Sequence, residues 1–208
     1  MTPPPPPGVF VHPSALCESA DVGPGTRIWA FAHVMAGARV GRDCNIGDHA
    51  FVESGAWIGD RVTVKNAVLV WDGVRIEDDA FIGPAVVFTN DRSPRSPRMP
   101  VDAVAQRYAR RERWLLPTRV AQGASIGAGA VIAPGVTLGA FCMVGAGSLV
   151  TRDVPPHRLV SRANPAGAAW VCVCGQRLEP VAAGLWVCGC ARRFREDAGG
   201  GLRAADAG

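Results

Sequence analysis

Asn90 lies between Thr89 and Asp91, eighteen residues after Asp72 and just ahead of Arg92 and Arg95. A neutral amide has no useful proton affinity near neutral pH, so Asn90 cannot be a base. Its carbonyl oxygen can accept an N–H and so aim a nitrogen lone pair, with Asp72 or Asp91 as alternative proton acceptors. The bland alternative is a corner residue that satisfies local backbone groups. Residues 91–119 also hold eight arginines, whose planar forks suit phosphates and carboxylates. A second chemistry is zinc at His12, His33 and His49. A third rests on Cys172, Cys174, Cys188 and Cys190, two Cys-x-Cys pairs that could close a tetrahedral zinc site in a segment too short for a core of its own. The familiar knuckle spacing is Cys-x-x-Cys, so a reduced remnant is the competing interpretation.

These residues must be held by something regular. Every sixth residue from Phe10 to Phe88 is apolar, fourteen in all, and thirteen of the fourteen residues four places further on are small or β-branched. A period of six fits neither a helix nor a hairpin sheet; it is the mark of a parallel β-helix, in which each hexapeptide supplies a short strand and a corner and stability comes from stacking neighbours. The register stops at Asn90 and restarts at Val120, running through Ile126, Ile132, Leu138, Val144 and Val150, with Val154 as the last small partner. The chain therefore divides into a disordered Pro-rich terminus (1–9), coils (10–90), an inserted loop (91–119), final coils (120–155) and an extension (156–208) with a possible zinc knuckle. The loop is long enough to be a lid, and residues after Arg195 are expected to be disordered. Some seven coils follow from the count. The three histidines occupy the third, sixth and fourth places of their hexapeptides and do not form a column, so a ligand contact suits His33, in the run beginning at Trp29, better than zinc.

A formal charge of +4, carried by arginine with Lys65 as the only lysine, and the absence of a basic helix or RNA-binding motif point to small anionic ligands rather than nucleic acid. No apolar stretch reaches membrane-spanning length and no leader pattern precedes the repeats, so a cytoplasmic protein with reduced cysteines is expected.

The run from Trp71-Asp72-Gly73 through Glu77-Asp78 and Gly83-Pro84 to Val87-Phe88-Thr89-Asn90, closed by Pro94-Arg95-Ser96, is specific. It resembles the hexapeptide-repeat acyltransferases, and among them the N-acetyltransferases of UDP-2-acetamido-3-amino-2,3-dideoxyglucuronate. The likeness spans about residues 10–165 and includes Ala163-Asn164-Pro165 near its end. It implies an all-β, left-handed parallel β-helix with three hexapeptides per coil, which puts Asp72 one coil below Asn90. It implies acetyl-coenzyme A as cosubstrate, its pantetheine arm along the glycine-rich corners at Gly127, Gly145 and Ala146, with Arg152 near a coenzyme phosphate. It implies Asn90 as the residue that positions the amine of a nucleotide-linked amino sugar, with the departing sulfur taking the proton. Trp29, His33, Asp72, Thr89, Asp91, Arg92 and Arg95 become substrate contacts, and the assembly becomes a homotrimer serving surface-polysaccharide synthesis. The final coils contain no histidine and His157 follows their last repeat, which argues against a histidine base. Two other classes stay open: a non-catalytic scaffold, and a zinc-dependent enzyme of the carbonic-anhydrase kind.

Overall fold

The computed structural model describes residues 5–162, 164–197 and 200–205, with the side chains of 164–168 left out. Two-residue strands repeat around three faces of a parallel β-helix. The first face holds eight parallel rungs from Phe10–Val11 to Arg158–Ser161; the second runs from Leu16–Cys17 to Leu149–Val150, and the third from Arg39–Val40 to Thr137–Leu138. Rungs pair at a spacing of eighteen, as in Asn45↔Thr63 and Ile46↔Val64. Inward columns such as Ile28, Ile46, Val64 and Ile82 are fully buried. Each of these side chains contributes roughly 1.5–3 kcal/mol by leaving water. One residue at many corners takes left-handed φ, and along one edge these stack as Asp43, Arg61, Asp79, Phe141 and His157.

The six-residue rule slips twice. At the start, Val11 pairs with Ile28 and Cys17 with Val34, seventeen residues on. Cys17 therefore faces inward, while Phe10 and Leu16, expected inside, are 46% and 36% exposed. A five-residue step from Cys17 to Val22 restores the phase, with Ser19 buried at that corner and its hydroxyl donating to the Ala38 carbonyl at 2.6 Å. At the other end Val154 bridges Leu138, and Val160 pairs with Val144. Val154 thus holds a leading place, not the small corner place, because the last turn is two residues short.

The extension is more ordered than expected. Arg158–Ser161 is the eighth rung, so the coils do not stop at 155. Asn164–Trp170 then pairs antiparallel with it. A four-stranded antiparallel sheet follows, made of Glu179–Ala182, Leu185–Val187, Arg193–Glu196 and Leu202–Ala204. The last of these lies beyond Arg195, where disorder was expected; Phe194 and Leu202 are buried in a small second core and hold it. At the other terminus Gly8 accepts the Gly25 N–H at 2.8 Å and Val9 packs on the main core, so residues 8–9 belong to the coils. Part of the proline run, with Ala163, lies outside the described residues. Among the described residues no helix is long and apolar enough to cross a membrane.

Candidate active site

Asp72 and Asn90 occupy the same place on successive rungs, and the Asn90 amide donates Nδ2–H to the Asp72 carbonyl at 3.3 Å. Its Oδ1 has no donor among the described residues, so the oxygen remains available to accept an N–H. Thr89 is spent on the coil above, its hydroxyl donating to the Ile132 carbonyl at 2.9 Å. Trp71 is fixed by Nε1–H to the Phe88 carbonyl at 3.0 Å, and the Asp72 N–H by Glu53 Oε2 at 2.8 Å. Trp71, Asp72 and Glu53, with Met35, Ser54 and Trp114, line a cleft of about 520 Å³ that includes Asn90; Thr89 and Asp91, expected as substrate contacts, are not among its lining residues. Ser54 lies eighteen residues before Asp72, and Glu53 and Met35 lie eighteen and thirty-six before Trp71. That column was a usable signal. Trp114 had none, since it belongs to the insertion.

The insertion contains a helix, Asp102–Tyr108, and a 3-10 turn, Arg111–Arg113. It is tied to the wall by ion pairs. Arg111 Nε and Nη2 each donate to one Asp72 oxygen at 2.6 Å. Asp91 accepts from Arg107, from the Tyr108 hydroxyl at 2.6 Å and from the Ser93 N–H at 2.9 Å. Burial opposes the Asp91 charge, but the hydrogen bonds from Tyr108, Ser93 and Arg107 outweigh it and hold the carboxyl below its usual range. Both carboxylates named as proton acceptors are therefore engaged in fastening the loop. Leu115 is buried over Gly73, where a Cβ would come within 2.6 Å of its Cδ2. The Leu116 N–H bonds the Asn90 carbonyl at 2.9 Å, so the insertion ends beside the residue it roofs. Arg92 and Arg95 are exposed on this loop.

Trp29 and His33 are not among the cleft-lining residues. Trp29 donates to Asn45 Oδ1 at 2.8 Å and contacts Phe10; His33 meets Glu18 at 3.2 Å and the Phe51 ring at 5.4 Å. A chain of ring contacts from His33 through Phe51 to Trp71 links His33, but not Trp29, to the cleft edge. Gly127 and Gly145 serve coil stacking: a Cβ on Gly127 would lie 2.4 Å from the Ala146 nitrogen, and one on Gly145 2.9 Å from the Ser161 Cβ. The open corners are Gly129 and Gly147, with nothing within 4 Å of a built Cβ, and Ala146 is exposed beside them. Arg152 lines a separate hollow of about 320 Å³ at the end of the coils, with Leu149, Asp153 and Arg162.

The histidines do not gather. Among the described residues the one group of three or more metal-binding side chains is Cys172, Cys174, Cys188 and Cys190. Hydrogen bonds from the Arg192 backbone and side chain hold the Cys190 thiol down at about 6. His157, expected beyond the coils, is a corner residue of the last one. Its ring packs on Phe141 and Phe194, with a 3.0 Å contact to the Val171 carbonyl, and burial lowers its pKa despite that hydrogen bond.

The profile of the bacterial transferase hexapeptide (six repeats) matches residues 19–54 and 117–152. A dTDP-3-amino-3,6-dideoxy-alpha-D-galactopyranose 3-N-acetyltransferase of Aneurinibacillus thermoaerophilus is 46% identical over 171 residues, covering 82% of each chain. The chain belongs to the hexapeptide-repeat transferases, in their N-acetyltransferase branch. More distantly, the bifunctional protein GlmU of Nitratidesulfovibrio vulgaris is 28% identical over 73% of this chain and 32% of its own length. A solved GDP-perosamine N-acetyl transferase of Caulobacter crescentus, in complex with CoA and GDP-perosamine, gives a TM-score of 0.42 at 24% identity, covering 76% of this chain and 51% of that one. The chain thus spans about half the length of that solved protein.

Proposed function

We propose that the protein transfers the acetyl group of acetyl-coenzyme A to the 3-amino group of a nucleotide-linked amino sugar. The amine nitrogen attacks the thioester carbonyl, the carbon–sulfur bond breaks, and the coenzyme leaves as a thiol after taking the proton shed by nitrogen. Asn90 accepts an N–H at Oδ1 and aims the remaining lone pair, which is a positioning contribution to the barrier. The observation that carries this reading is the open Asn90 oxygen in the cleft, with Asp72 and the neighbouring Asp91 both already engaged with the insertion and Glu53 taken by the Asp72 N–H. The resemblance implies a uridine nucleotide, whereas the Aneurinibacillus relative carries thymidine in its name; amination at position 3 is common to both.

The coenzyme lies along the open corners at Gly129, Ala146 and Gly147, with Arg152 toward its phosphates. The homotrimer that the resemblance implies is supported by the outer surface of the second face. Leu69, Val87 and Leu149 form one outward column there and are 39%, 46% and 66% exposed, while the third face carries ion pairs such as Arg119 with Glu77. Packing against a second copy covers such a column. The protein works in the cytoplasm, on a precursor of surface polysaccharide. The four tail thiols belong to this reading only as a structural zinc site, with no step of transfer routed through them.

The test is thiol release from acetyl-coenzyme A with UDP- and dTDP-linked sugars carrying an amine at position 2, 3 or 4. Turnover confined to 3-amino sugars is expected; turnover of none of them would overturn the assignment. Sedimentation of Leu149→Glu should show a lighter species than wild type, and a stable wild-type monomer would refute the trimer.

A further inference from the structure

The two turns that carry the tail cysteines are copies of one another, sixteen residues apart. In the first, the Cys172 carbonyl accepts from the Gly175 N–H at 2.8 Å and the Cys172 N–H donates to the Gln176 carbonyl at 2.8 Å. In the second, Cys188 does the same with Ala191 and Arg192, both at 2.9 Å. The fourth residue of each turn is left-handed, Gly175 at φ +85° and Ala191 at +69°. This shared geometry lets one intervening residue replace the usual two. Cys172 and Cys190 approach to 3.6 Å between sulfurs, Cys174 and Cys188 to 3.5 Å, and Cys174 and Cys190 to 3.7 Å. All four sulfurs lie within 4.8 Å of one another. Four thiolates at about 2.3 Å from a tetrahedral zinc would have sulfur–sulfur edges of roughly 3.8 Å.

Resting on the structural-zinc reading, we propose that one zinc held by these four thiolates keeps the tail sheet seated on the last two rungs of the β-helix. The tail cannot hold itself. Apart from two of the cysteines, its buried core is Trp170, Leu178, Phe194 and Leu202. So few side chains do not stabilise a sheet of this size, and metal ligation is the usual remedy. The knuckle is also part of the seat. The Met143 methyl lies 3.7 Å from where a Cβ on Gly175 would stand, and a hollow of about 190 Å³ between coil and knuckle is lined by Phe141, Met143, Cys172 and Cys174. Beside it His157 is held between Phe141 and Phe194, and Arg158 lies 3.8 Å over the Trp170 ring. The strand leading into the knuckle, Asn164–Trp170, covers the edge of the eight-rung sheet. Loss of the metal therefore frees the tail and uncovers a sheet edge, which favours association between chains.

The experiment measures zinc and iron per full-length chain by elemental analysis, then follows hydrogen exchange before and after zinc removal with a strong chelator under reducing conditions, and after zinc is returned. The expected result is one zinc per chain. Its removal should speed exchange across residues 170–205 by at least about tenfold and leave residues 28–88 unchanged, with one equivalent of zinc restoring protection. Purified chain with no zinc, or with iron in its place, overturns the metal site and the inference with it. One zinc whose removal leaves tail exchange unchanged keeps the site and overturns its seating role. To separate metal loss from damage in handling, Cys174→Ser/Cys190→Ser serves as a second arm: zinc-free, it should show the fast tail exchange without any chelator.

Discussion

Two regions depart from the six-residue rule, and they are fastened by different forces. The insertion over the cleft is held by charge, through Arg111 on Asp72 and Arg107 and Tyr108 on Asp91, with Leu115 as its one buried apolar side chain. The tail is held by rings, through Phe141, His157 and Phe194, with the four cysteines clustered beside them. Between them, the regular coils need neither, because each inward residue is buried by the rung above and below. A roof tied by side-chain pairs, the exposed Arg111 on Asp72 and the half-buried Arg107 on Asp91, can open without disturbing the core beneath it. The tail, which covers a sheet edge, has no such need.

Substitutions can break this contrast. Ile58 is enclosed by Val40 below and Ile76 above on the third face, and Ile58→Ala should cost about 3 kcal/mol of the main unfolding transition, measured by denaturant titration. Arg107→Ala, by contrast, leaves Asp91 with Tyr108 and Ser93 as donors and should lower that transition by less, about 1.5 kcal/mol at most. Its effect should be local, as faster proteolysis between residues 92 and 101. A loss as large as that of Ile58→Ala would mean the insertion is part of the cooperative core.

Acid should separate the two regions as well. His157 has a lowered folded pKa, so its contribution is complete above the ordinary value of about 6.5 and is lost as pH falls from there toward the lowered value. Asp91 is also lowered, but its contribution is complete above about 4 and is lost only as pH falls through its depressed folded value. Proteolysis should therefore begin to open the tail as pH falls below about 6.5, with the insertion still closed until about pH 4, and His157→Gln should abolish that first step. The smallest effect is expected at the second knuckle turn, where Ala191→Gly relieves a left-handed alanine and should stabilise the tail by about 0.5–1 kcal/mol.

The coils were legible because their interior repeats, and Asp72 and Asn90 could be put on one column from spacing and resemblance alone. The phase at the start was not, since Phe10-Val11 and Leu16-Cys17 each offer two adjacent apolar residues and either could point inward. Val154 misled for the opposite reason: a valine fits both a leading and a corner place. Within the insertion no period constrains the chain, so the partners of Arg107 and Arg111 and the place of Trp114 at the cleft were hidden. In the tail, the cysteines were visible, whereas the mirrored hydrogen bonds that make a one-residue spacing workable exist only in three dimensions.

The most direct measurement is the rate of thiol release from acetyl-coenzyme A with a nucleotide-linked 3-amino sugar, comparing wild type with Asn90→Ala. A fall in kcat of about a hundredfold, or ~2.7 kcal/mol of barrier, with unfolding unchanged, is the predicted result. Turnover by Asn90→Ala within about twofold of wild type would contradict the role given to the open amide oxygen.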